Sequence, residues 1–96
     1  MVNINKSLIH ISKKFNTQNK EEALKNIKDL LKNYPNNKDV NNLFYQICIK
    51  LNLKKDAINS LNKLIILEPS NENYLQQLYK LHIRNNNYRI ALKIIN

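Results

Sequence analysis

The sequence predicts an all-helical fold built from repeated helix pairs, and three observations carry that prediction. Glycine is absent and proline occurs only twice, which removes the residues that make tight hairpins and strained turns. Apolar residues recur at helical rather than alternating spacing along the chain. The rarest residues keep a fixed period: the three alanines, Ala23, Ala57 and Ala91, stand 34 residues apart, and so do the two prolines, Pro35 and Pro69.

Each element follows from local chemistry. In a first helix over residues 4–16, Ile4, Leu8, Ile11 and Phe15 form a stripe that is out of register with the later first helices, as befits a terminal unit with one side in water. A second helix over 20–33 carries Ala23, Leu24, Ile27, Leu30 and Leu31, the i, i+1, i+4, i+7, i+8 spacing of a single apolar stripe. Glu21 and Glu22 sit in its first turn, where the helix dipole favours negative charge. Pro35 stops it, and Asn37 suits the N-cap of a third helix over 38–51, whose stripe is Val40, Leu43, Phe44, Ile47, Cys48 and Leu51. The fourth, 54–67, repeats the second with Ala57, Ile58, Leu61, Leu64 and Ile65. Pro69 stops it, and Ser70 suits the cap of a fifth helix over 72–84 bearing Tyr74, Leu75, Leu78, Leu81 and His82. The sixth, 88–96, carries Ala91, Leu92 and Ile95.

A 34-residue pair of helices with alanine early in the second helix and proline after it resembles the tetratricopeptide repeat. That family's pattern runs Trp-x2-Leu-Gly-x2-Tyr, then Ala-x3-Phe, then Pro. The second unit reads Asn41-x2-Phe44-Tyr45-x2-Cys48, Ala57-x3-Leu61, Pro69; the third reads Leu75-x2-Leu78-Tyr79-x2-His82, Ala91-x3-Ile95. The first reads Ser7-x2-His10-Ile11-x2-Lys14, Ala23-x3-Ile27, Pro35. The resemblance implies a right-handed α-solenoid of antiparallel helix pairs, one domain over 1–96 with units near 4–36, 37–70 and 71–96. Ile11, Tyr45 and Tyr79 replace the family's small residue. A Tyr there must either swing outward or widen the helix pair.

Composition narrows the function classes. The longest uninterrupted apolar run, Leu64 to Leu67, is far short of the ~20 residues that span a bilayer, and residues 1–15 lack the apolar core of a secretory signal. A lone Cys48 cannot form an internal disulfide, which fits a reducing compartment. A soluble cytoplasmic protein with no membrane partner is the expectation. The net charge of +9 raises a nucleic-acid partner, yet nearly all of it is Lys in a chain also rich in Asn and Ile. These three share adenine- and thymine-rich codons, so compositional bias and a selected basic surface both account for the charge.

No chemistry of an enzyme is visible. A phosphate loop needs glycine, no carboxylate pair is placed for acid–base work, and His10, Cys48 and His82 are too few and too scattered for a zinc site. Cys48 and His82, one period apart at the family's buried Tyr position, are expected to pack in the core on neighbouring helices. His10 is expected at the surface. Neither a cofactor, a metal nor a catalytic residue is expected, unless the chain docks for a larger enzyme.

The function expected is a protein-interaction scaffold. The family commonly holds an extended peptide or short helix on the concave face of its first helices. Carried onto this sequence, that face comprises Asp39 with Asn73, Asn42 with Gln76, Gln46 with Lys80, and Lys50 with Arg84, each pair separated by 34. Its amides both donate to and accept from a peptide backbone, and Lys50, Lys80 and Arg84 favour an acidic partner. A clamp for chaperone C-termini is not expected, since the positions it needs carry Leu8, Ser12, Leu43, Asn73 and Gln77. An RNA-binding helical repeat is the alternative. The last helix, with Ile94 and Ile95 uncovered, implies cover by further chain or by self-association.

Overall fold

The structure, a computed structural model, describes residues 3–17 and 19–95, with the side chain of Ile95 excepted. It contains α1 (Ile4–Asn16), α2 (Lys20–Asn33), α3 (Lys38–Lys50), α4 (Lys54–Leu67), α5 (Glu72–Arg84) and α6 (Tyr88–Ile95). Among the described residues there is no strand. Consecutive helices pack against one another, and α1 also reaches α3. The molecule measures 43 × 27 × 18 Å, and its thinnest direction leaves room for two helices of about 10 Å diameter.

The prolines end the helices from a short distance. A residue before proline is driven out of the α region, and Tyr34 and Glu68 accordingly sit at φ near −134° and −135° with ψ of 64° and 75°. Asn37 caps α3 as expected, its side chain accepting from the backbone N–H groups of Asp39 and Val40. At α5 the cap is Asn71 rather than Ser70. The turn after Pro69 closes with Asn71 N–H on the Glu68 carbonyl at 3.1 Å, so Ser70 lies inside that turn and Asn71 Oδ1 takes the Asn73 N–H.

A chain without glycine must still leave its helices, and asparagine does so. Asn52 and Asn86, 34 residues apart, follow α3 and α5 with φ of 59° and 63°, the left-handed region that asparagine tolerates better than most residues. In both turns the next residue donates back to the helix: Leu53 N–H to the Cys48 carbonyl at 2.9 Å and Asn87 N–H to His82 at 2.7 Å.

The core runs from Ile11 and Phe15 through Ile27, Phe44, Ile47 and Leu61 to Leu78 and Leu81. Ala23, Ala57 and Ala91 are 0%, 1% and 0% exposed, the places where paired helices touch. Cys48 and His82 are both buried and His10 is exposed. Two apolar stripe residues lie outside the core: Leu75 and Leu92 are exposed, and with Tyr88 and Ile90 they leave an apolar surface around α5 and α6. No described helix is long and apolar enough to cross a membrane.

Tyr45 swings outward. The α3–α4 pair remains closely packed, while the ring is half-buried at its side, within the electrostatic reach of Arg84 on α5. The next first helix stands further off. No Cα of α3 comes within 8 Å of a Cα of α5, whereas α1 and α3, with Ile11 at the matching position, do approach that closely. Cys48 and His82 therefore stand on helices that share α4 and whose Cα atoms keep more than 8 Å apart.

Candidate partner-binding face

On α3, the buried residues Val40, Phe44, Ile47 and Cys48 mark one side of the helix, and Asp39, Asn42, Gln46 and Lys50 lie on the other. On α5 the same division sets Tyr74, Leu78, Leu81 and His82 against Asn73, Gln76, Lys80 and Arg84. Seven of these eight polar residues are exposed and Asn42 is half-exposed. The structure thus brings each group of four onto one helix stripe. It does not stack them closely across the helices, because all α3–α5 Cα separations exceed 8 Å.

Within the α3 stripe, Gln46 Nε2 donates to Asn42 Oδ1 at 3.0 Å, which leaves the Asn42 amide hydrogens and the Gln46 carbonyl oxygen for a visitor. Among the described residues none of the eight forms an ion pair; the two pairs present are Lys14–Glu22 at 2.7 Å and Lys38–Glu68 at 3.4 Å. Lys14 and the Asn19 amide also hold the Glu22 carboxyl below its ordinary range and tie the end of α1 to α2. Among the described residues no carboxylate forms an ion pair with Lys50, Lys80 or Arg84.

The basic end of this face is built against aromatic rings. Lys50 Nζ lies 5.6 Å from the centroid of the Phe15 ring and Lys20 Nζ 5.4 Å from it, within cation–π range. Burial pushes the Tyr45 phenol above 10.0, with the Arg84 charge opposing the shift.

Sequence reasoning missed the floor. Phe15, Ile49 and Ile83 stand 34 residues apart, the last two one position before Lys50 and Arg84 at the basic ends of the stripes. Phe15 is buried, Ile49 half-buried and Ile83 exposed, so the apolar ladder opens progressively along the chain. The signal was available: Ile49 and Ile83 are apolar residues that fall off the buried stripe yet keep the period.

Cys48 is a packing residue in this setting, its thiol pushed up to about 11, first by burial and then by the Asp56 charge. No group of three His, Cys, Asp or Glu side chains among the described residues is placed to hold a metal ion. A comparison with models of known protein families finds no match. No curated protein matches the chain in sequence.

Proposed function

We propose that this protein is an interaction module of the tetratricopeptide type, a right-handed solenoid of antiparallel helix pairs that holds a peptide segment of a partner protein. The observation that carries the reading is the Phe15, Ile49, Ile83 ladder, flanked by the Asn42–Gln46–Lys50 and Gln76–Lys80–Arg84 stripes. An apolar floor with amide walls fits an extended backbone that alternates apolar and polar side chains. The unneutralised cations at one end select acidic residues in that segment.

The reading is tested by selecting peptides from a displayed library on the full chain and mapping the winner by amide chemical shifts. Shifts at Asn42, Gln46, Gln76 and Lys80 support it, and shifts confined to other surfaces remove it. The alternative, an RNA-binding repeat, draws on the same cations. Salt-sensitive binding of mixed-sequence RNA at physiological ionic strength, with no peptide selected, would favour it.

A further inference from the structure

Packed helices joined by turns of three or four residues run back and forth, so the turns after α1, α3 and α5 fall on one edge of the stack. We propose that this edge binds a single strand of nucleic acid, its phosphates along the cations there and a base stacked on Tyr88. The edge goes beyond the peptide-binding face and shares only Lys50 and Arg84 with it.

Charge is divided unequally between the two edges. Within four residues, the turn after α1 carries Lys13, Lys14 and Lys20, and the turn after α3 carries Lys50, Lys54 and Lys55. Arg84 and Arg89, the only arginines, flank the turn after α5. Half of the chain's 16 Lys and Arg residues thus collect here, against the carboxylates of Glu21, Glu22 and Asp56. Glu22 is already engaged by Lys14 at 2.7 Å. The opposite edge holds the start of α1 and the turns after α2 and α4, where Lys6, Lys32 and Lys38 meet Asp39, Glu68 and Glu72. Codon bias accounts for the number of lysines but not for their collection on one edge, where they attract a polyanion.

The side chains among these cations select a nucleic-acid strand. Lys20 and Lys50 bring ammonium groups from two helices to within 5.4 and 5.6 Å of the Phe15 ring centroid, a concentration of like charge that an anion stabilises. Around the first two turns no large apolar side chain among the described residues is exposed: Phe15 is buried, and Ile49 and Leu53 are half-buried. A membrane-binding surface would instead offer apolar residues for insertion. At the third turn Tyr88 stands where the first two units carry Lys20 and Lys54, and it is 56% exposed. Its hydroxyl donates to Asn86 Oδ1 at 2.9 Å and anchors the ring in the wall of an open concavity of about 580 Å³, which Asn87, Arg89 and Ile90 also line. An anchored ring beside Arg89 gives a nucleobase a stacking surface, and the amides give its edge donors and acceptors. An acidic peptide would use the cations alone.

The test follows the anisotropy of a labelled, mixed-sequence, 12-nucleotide single-stranded RNA as the full chain is added at physiological ionic strength. A Kd on the order of 10 μM is expected, weakening as salt rises. Tyr88→Leu should weaken RNA binding about tenfold and leave the binding of inorganic polyphosphate unchanged. Lys54→Gln/Lys55→Gln should also weaken it about tenfold and lower the salt slope by roughly 1.4. Lys6→Gln/Lys32→Gln removes the same charge from the opposite edge, about 20 Å away and beyond the screening length of about 8 Å, and should have little effect. All five positions are exposed, and circular dichroism should show each variant as helical as the wild type. No RNA binding at 100 μM chain, undiminished binding by Tyr88→Leu, or equal weakening by the two lysine pairs would overturn the proposal. So would displacement of the RNA by poly-glutamate or phosphatidylserine vesicles as effectively as by unlabelled RNA. A peptide selected on the concave face should bind Tyr88→Leu and Lys54→Gln/Lys55→Gln as tightly as the wild type, so the two readings fail separately.

Discussion

The seam between α1 and α3 is closed and the seam between α3 and α5 is open, although both join first helices of successive units. At the closed seam the residue at this repeat position is Ile11, which is buried; at the open one it is Tyr45, half-buried beside Arg84. The ladder records the outcome, with Phe15 buried at one end and Ile83 exposed at the other. The larger side chain at this repeat position coincides with the wider spacing of first helices, and it is at the open seam that Ile83 reaches solvent. Closely packed helices bury their own ridges in each other's grooves. Helices held apart leave those ridges for a partner.

The strongest way to break the comparison is to disrupt the α3–α4 pair on which both seams depend. Ala57→Leu forces a larger side chain into a contact that is 1% exposed, at a cost of about 1–3 kcal/mol or more. For a chain of this size that lowers the thermal midpoint by roughly 5–20 °C. An unchanged midpoint would show that Ala57 is only a good helix former.

A milder change sharpens the comparison. Tyr45→Ile gives the second seam the residue found at the first, and α5 should close on α3. Spin labels placed by Gln46→Cys and Lys80→Cys would report a shorter distance, while stability changes by about 1 kcal/mol. A distance that does not shorten would clear Tyr45 of responsibility for the open seam.

That labelling relies on Cys48 staying silent. With its thiol pushed up to about 11, it carries almost no thiolate at pH 8 and should react only through unfolding. The linkage has a definite sign. Between the ordinary value of 9.0 and about 11 the unfolded chain has lost the thiol proton and the folded one keeps it, so stability falls as pH rises through that window. Cys48→Ala should lessen the alkaline loss without removing it, since Tyr45 and Tyr74 are also raised by burial. An unaltered alkaline profile would mean that Cys48 is not buried as described.

The smallest effect concerns the α1–α2 turn. Glu22→Gln removes the Lys14 ion pair at an exposed site, and the thermal midpoint should barely move.

Helix boundaries were legible in the sequence because alanine, proline and asparagine act locally: Ala57 marks a contact, Pro69 a stop, Asn37 a cap. The choice of Asn71 over Ser70 was not legible, since both side chains can cap and the Pro69 turn decides which faces the helix. Nor was the open seam. The size of Tyr45 is written in the sequence, but whether it widens its own pair or turns toward the next helix depends on what α5 brings beside it. The eight polar residues of the proposed face came from the family resemblance, and the structure sets each group of four along one helix. Its apolar floor was overlooked because Ile49 and Ile83 read as ordinary flanks of a buried stripe. The orientation of the Asn41 amide depends on two hydrogen bonds to carbonyls that only the folded turn places.

The central claim is that the open seam holds an acidic peptide against Lys50, Lys80 and Arg84. It is tested most directly by selecting peptides on the wild-type chain and titrating the best of them into Lys80→Glu/Arg84→Glu. The selected sequences should be rich in acidic residues with interspersed apolar ones, and the double variant should bind about 1–3 kcal/mol more weakly at unchanged helicity, roughly 5- to 150-fold in Kd. Undiminished binding by the double variant, or a selected consensus without acidic residues, would contradict the claim.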